Sequence, residues 1–231
     1  MHLPLWFIQQ IIQQMRPFHY SVLAFSYLLL LTACSDNPKG TAVTTKQHLA
    51  AESKTIENMQ AAYKGEKTAT AKYEAYSAKA ESEGYHLISL LYNAVSAAEN
   101  IHARNHRAVI EDAGLTVPEI VPEYTVKSTK ENLDQDNNGE AYEAKTMYPD
   151  FLKTALIANN QIAHLSLTYA MKTEQKHKYF FEQALGDLKS NTLNSLPAQY
   201  AVCPVCGNTY TQAPKHCDFS LTNKDQFIIF Q

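Results

Sequence analysis

Two tetrapeptides in this chain, Glu99-Asn-Ile-His102 and Glu174-Gln-Lys-His177, set a carboxylate and an imidazole three residues apart. On an α-helix that spacing puts both side chains on one face, so each motif can aim an oxygen and a nitrogen donor at one point. A further glutamate stands upstream of each: Glu66 lies 33 residues before Glu99, and Glu140 lies 34 residues before Glu174. Glu143 follows Glu140 by one turn. A single such pair is more often a surface feature than a ligand set, but here all of these residues fall on apolar stripes. Carboxylates gathered in a low-dielectric core cannot all stay ionised without compensation, and the stripes carry no lysine or arginine at these heights. A pair of divalent metal ions answers that charge, and carboxylate with imidazole suits iron or manganese. The expected ligands are Glu66, Glu99, His102, Glu140, Glu143, Glu174 and His177, holding two irons, with manganese as the substitute.

Four helices must position these donors. The first, from about 46 to 83, carries Met59, Ala62, Tyr63, Glu66, Ala69, Tyr73 and Ala80 at helical period and stops at Gly84. The second runs from Tyr85 to Asp112 with Leu91, Val95, Ala98, Glu99, His102, His106 and Val109 on one stripe. A third begins in the polar run 130–138, where Pro149 is expected to kink or interrupt it. The fourth spans about 160–190 and presents Ala163, Leu167, Ala170, Glu174, His177 and Phe181. Matched spacing within each helical hairpin, and a long 115–129 link between them, predict a mainly α, ferritin-like four-helix bundle with one crossover.

The 231 residues are 45% apolar and 19% charged, enough for one core and a small appendage, and a net charge of −3 with no basic run excludes a nucleic-acid partner. Residues 1–33 read as a signal peptide. Met15 serves as its start, Arg16 as its positive end and Ser21–Leu31 as its apolar run. That run is shorter than the ~20 residues a spanning helix needs. Leu31-Thr-Ala-Cys34 is similar to a bacterial lipobox, which implies lipidation at Cys34 and a tether over 34–48. Ser35 after the cysteine resembles an outer-membrane sorting signal, which implies a place for the chain in the cell envelope, on the periplasmic face of the outer membrane. Its only membrane contact would be the lipid.

Of four cysteines, Cys203, Cys206 and Cys217 lie in the last 29 residues. Cys203-Pro-Val-Cys206-Gly has the spacing of a metal knuckle. An exported protein also makes disulfides available.

The chain resembles the rubrerythrins in six stretches. They are Gly65-Glu66 with Lys72-Tyr73; Glu99-Asn-Ile-His102; Gly139-Glu140-Ala-Tyr-Glu143; Met147-Tyr148-Pro149; Glu174-Gln-Lys-His177; and Cys203-Pro-Val-Cys206-Gly207. The resemblance implies a ferritin-like di-iron domain over 49–194 followed by a rubredoxin-like domain over 198–231. It also implies reduction of hydrogen peroxide to water, a homodimer, and an electron donor that export would place in the periplasm or membrane. Glu143 would be the additional carboxylate of this family, His102 a ligand that exchanges with a glutamate, and Tyr73 and Tyr148 hydrogen-bond partners of the ligands. The tail departs from the pattern, because Cys217-Asp-Phe-Ser220 puts a hydroxyl where a fourth thiolate belongs. Ser220, Asp218 or His216 completes an altered iron or zinc site; or Cys203 and Cys206 pair as a disulfide; or Tyr200, Phe219, Phe227 and Phe230 hold the module without metal. The alternative function is an iron-binding or ferroxidase-type envelope protein with a degenerate electron-transfer module.

Overall fold

Thr44 starts the first helix, α1 (Thr45–Ser82), through a capping box: its hydroxyl accepts from the Gln47 amide, and the Gln47 side chain accepts from the Thr44 amide. The computed structural model describes residues 43–231, so the signal segment, Cys34 and the tether up to residue 42 lie outside the described residues. The helix thus begins within the stretch read as tether. It is followed by α2 (His86–Asp112), α3 (Thr129–Tyr142), α4 (Tyr148–Ile157) and α5 (Gln161–Ser190). Left-handed residues end four of them: Gly84 and Gly114 (φ +82° and +76°), then Asn159 and Asn191 (φ +51° and +57°).

Pro149 does not break the third helix of the bundle. A π-helical turn, Glu143–Met147, carries α3 into α4, with the Tyr148 amide bonded back to Glu143 O and Pro149 in the first turn of α4. The wide turn absorbs one extra residue. Glu140 and Tyr148, eight apart, therefore behave like an i, i+7 pair and face the same way.

The bundle interior is divided. One apolar cluster contains Tyr73, Tyr76, Leu91, Tyr92, Val95 and Phe181. Another contains Met59, Tyr63, Ala103, Val109, Tyr148 and Leu167. Along α1, α2 and α5 the residues between these clusters are Glu66, Glu99 with His102, and Glu174 with His177. The predicted ligands form a layer with hydrocarbon on either side. Between the hairpins, 115–128 runs as an irregular crossover, pinned where Tyr76 Oη donates to Thr125 O at 2.7 Å.

After α5 comes a three-stranded antiparallel sheet, β1 (Tyr200–Val202), β2 (Thr209–Tyr210) and β3 (Ile228–Phe230), in the order β2-β1-β3. Alternate side chains of a strand face opposite ways. Tyr200 and Val202 accordingly join the bundle's apolar cluster, while Ala201 joins Cys203, Cys206, Cys217 and Phe227 in the module's own core. Phe180 and Tyr200 meet edge to face at 5.5 Å. A mainly helical bundle carrying a small cysteine-rich module is the observed architecture.

Candidate metal centre

The four helices converge on two overlapping donor clusters: Glu66, Glu99, His102 and Glu174 in one, Glu99, Glu140, Glu174 and His177 in the other. Not one of these six residues is more than 3% exposed. His102 Nδ1 lies 2.9 Å from Glu99 Oε2, 3.1 Å from Glu174 Oε1 and 3.7 Å from Glu66 Oε1. His177 Nδ1 lies 2.8 Å from Glu174 Oε2, 3.1 Å from Glu99 Oε1 and 3.9 Å from Glu140 Oε2. Glu99 and Glu174 each give one oxygen to either half, the disposition of two bridging carboxylates.

Electrostatics in the layer are severe. Burial raises Glu66 and Glu140 well above the carboxylate range, and the charges of neighbouring glutamates add to the effect. Burial and the charges of Glu174 and Glu99 bring Glu143 to about 8. For His102, burial acts downward, but the carboxylates of Glu174 and Glu99 raise it to about 10. His177 ends at about 9, lifted against burial by Glu99 and Glu174. Glu99 moves the other way: His177 and His102 pull it far down although burial opposes them.

Several of these atoms are close to neighbours without being hydrogen-bonded. Both oxygens of Glu174, Glu140 Oε2 and His177 Nδ1 are buried and lack a hydrogen-bond partner. Buried polar atoms without hydrogen-bond partners, converging on shared points, fit cations better than they fit one another. Oxygen and imidazole donors of this kind suit a pair of iron or manganese ions, and binding would displace the protons that the carboxylates hold on the imidazoles.

Groups outside the clusters orient the ligands. Tyr73 Oη donates to Glu140 Oε1, and Tyr148 Oη donates to Glu66 Oε1. His106 Nε2 meets Tyr148 Oη at 3.2 Å, and its Nδ1 meets Ser166 Oγ at 2.8 Å. Burial drives His106 down to about 3, so it is neutral. Thr209 Oγ1 donates to Gly207 O at 3.1 Å, which leaves its oxygen to accept from His177 Nε2 at 3.1 Å. That bond turns His177 Nδ1 toward the clusters. Gly207, at φ +77°, packs so tightly on His102 that a Cβ would stand 2.4 Å from Nε2.

Residues 57–185 match the sequence pattern of the family described as Rubrerythrin. The chain belongs to the rubrerythrin family. It is 32% identical over 179 residues to Rubrerythrin-2 of Clostridium acetobutylicum, covering 76% of this chain and 96% of that protein. It is 30% identical over 194 residues to nigerythrin of Nitratidesulfovibrio vulgaris, covering 80% and 94%. Fully reduced, all-ferrous nigerythrin superposes with a TM-score of 0.68 at 30% identity, over 76% of this chain and 86% of that one.

Six of the seven predicted bundle ligands, Glu66, Glu99, His102, Glu140, Glu174 and His177, lie in the two clusters. Glu143 borders them, coupled by charge to Glu174 and Glu99 from the start of the π-helical turn. In the module, the sulfurs of Cys203, Cys206 and Cys217 lie within 4.8 Å of one another as free thiols. Three contributors escaped the sequence reading. Thr209 and Gly207 act across the module boundary, and short-range periodicity carries no sign of that contact. Asp136, fully buried, ion-pairs with Lys72 at 2.9 Å and accepts from Tyr92 Oη at 2.9 Å. It sits in a run that reads as solvated surface.

Proposed function

We propose that this rubrerythrin-family protein is a non-haem di-iron peroxidase that reduces hydrogen peroxide to water: one peroxide, two electrons and two protons give two waters. The observation that carries the reading is the sharing of Glu99 and Glu174 between both donor clusters, because two carboxylates common to both would hold two ions side by side in one site. Bound ferrous iron would supply the electrons and the Lewis acidity. The chain would supply the rest. Glu66, Glu99, His102 and Glu174 would hold one ion, and Glu99, Glu140, Glu174 and His177 would hold the other. Tyr148 and Tyr73 fix Glu66 and Glu140 by hydrogen bonds, and the flanking apolar clusters limit water. Glu143, half-buried and raised to about 8, is the carboxyl group beside the clusters able to carry a proton near neutrality, or to enter the ligand set.

The same proposal places the protein in the bacterial envelope as a lipoprotein anchored through Cys34. It would work as a homodimer, drawing electrons from a periplasmic or membrane donor. Among the described residues no helix is long and apolar enough to cross a membrane, which is compatible with anchoring by lipid. Ser220, in the place of a fourth cysteine, favours one second reading: an iron-binding or ferroxidase-type protein whose module relays electrons poorly. Iron-loaded protein, given an artificial electron donor and hydrogen peroxide, separates the two. Sustained peroxide consumption that Glu174→Ala abolishes, together with its iron, supports the peroxidase. Iron binding without turnover supports the second reading. Unchanged iron content in Glu174→Ala would refute the bridged centre itself.

A further inference from the structure

The two halves of the cysteine pattern fold alike, although only the first has two cysteines. In Cys203-Pro-Val-Cys206-Gly207-Asn208, the Gly207 amide donates to Cys203 O at 2.9 Å and the Cys203 amide to Asn208 O at 3.0 Å. In Cys217-Asp-Phe-Ser220-Leu221-Thr222, the Leu221 amide donates to Cys217 O at 3.1 Å and the Cys217 amide to Thr222 O at 2.8 Å. The fifth residue of each loop is left-handed: Gly207 at φ +77° and Leu221 at φ +59°. A leucine avoids that conformation, and at 76% exposure its side chain gains little from packing there. The loop keeps this shape although its fifth residue is not glycine. Ser220 therefore occupies in the second loop the position that Cys206 occupies in the first.

The side chains agree with the backbone. Ser220 Oγ lies 3.2 Å from Cys203 Sγ, and Cys206 Sγ lies 3.4 Å from Cys217 Sγ. A tetrahedral ion with sulfur at ~2.3 Å and oxygen at ~2.0 Å requires S···O near ~3.5 Å and S···S near ~3.8 Å, so these two separations stand within a few tenths of an ångström of that shape, and all three sulfurs lie within 4.8 Å of one another. The Cys203 thiol donates to Thr222 Oγ1 at 3.4 Å, and that oxygen lies 2.7 Å from Ser220 Oγ, fixing the hydroxyl. The loop's other candidate donors are occupied elsewhere. Asp218 is exposed and accepts from Tyr210 Oη at 3.2 Å. His216 is exposed, and its backbone bridges to Asn223.

We propose that Cys203, Cys206, Cys217 and the side-chain oxygen of Ser220 form one mononuclear iron or zinc site with three sulfur ligands and one oxygen ligand. On binding, the metal takes the place of the thiol protons and the Ser220 hydroxyl proton, which pass to solvent. Oxygen is the harder donor, so with iron bound it favours the ferric state. The ferrous form is then the stronger reductant and requires a stronger donor to make it.

The test uses the full-length reduced protein, titrated anaerobically with Co2+ alone while thiolate-to-cobalt charge-transfer absorption is followed. The bundle offers only oxygen and nitrogen, so its cobalt adds nothing to that band, and the result is independent of the peroxidase reading. One equivalent should saturate the band. Ser220→Ala should weaken cobalt binding by about tenfold or more, equivalent to about 1.4 kcal/mol. Ser220→Cys should restore tight binding and move the band to lower energy. The proposal is overturned if Ser220→Ala leaves affinity and spectrum unchanged. It is equally overturned if the wild type shows no band while Ser220→Cys does.

Discussion

Gly207 rests directly on His102: a methyl group added to its Cα would lie 2.4 Å from Nε2 and 3.1 Å from Ala98 O. The ring cannot retreat, because its Nδ1 is held among Glu99 and Glu174. Gly207→Ala is expected to cost about 2 kcal/mol or more, from the left-handed backbone and the clash together. It should also lower iron occupancy in the His102 half. Chemical denaturation and iron analysis check this, and a stability within error of the wild type would contradict the contact.

Glu174 should matter both with and without metal. Its carboxylate faces His102 Nδ1 at 3.1 Å and His177 Nδ1 at 2.8 Å, so Glu174→Gln weakens a buried pairing and the metal-free variant is expected to unfold at a lower denaturant concentration than wild type. With iron in excess, wild type gains stability as RT ln(1 + [L]/Kd). The variant should lose most of that gain. Paired melting curves, with iron and with chelator, measure both arms.

His106 sets an acid limit. Its folded pKa of about 3 lies below the unfolded value of ~6.5, so the unfolded chain takes up the proton first. The contribution is complete above pH 6.5 and is lost progressively as pH falls toward 3. The slope approaches ~1.4 kcal/mol per pH unit. Stability of metal-free wild type should therefore fall more steeply between pH 6.5 and 5 than that of His106→Gln; parallel curves would show that the imidazole is not buried neutral.

The Lys72–Asp136 pair is a separate electrostatic unit. Asp136 is fully buried, and Lys72 stands over the Tyr73 ring at 4.3 Å. Removing one partner strands the other, so Lys72→Met and Asp136→Leu are each expected to cost about 3–5 kcal/mol. The double variant should recover much of this in a double-mutant cycle. Because Tyr73 also holds Glu140, the single variants should perturb iron binding at the His177 half as well.

The bundle and its donors were legible because Glu66, Glu99, His102, Glu174 and His177 interrupt apolar stripes at helical spacing, where a solvated charge has no place. The antiparallel heights followed from equal spacing within each hairpin. What stayed hidden depended on contacts between segments far apart in sequence. Gly207 looked like an ordinary knuckle glycine until His102 was seen against it, and Thr209 carried no mark of its bond to His177. Asp136 lies in 130–138, a run polar enough to pass for surface. Pro149 correctly signalled local trouble in the helix, but the remedy was a widened turn rather than a kink. That turn is what lets Tyr148 reach Glu66.

The placement of the donor layer between two hydrocarbon clusters bears on how the protein is assembled. Each cluster can close on its own and fix the helices at its end of the bundle. Loading then becomes the filling of a finished frame rather than folding around an ion. An ion reaching the donors from the side then calls for a local opening of the middle layer rather than unfolding of the two ends.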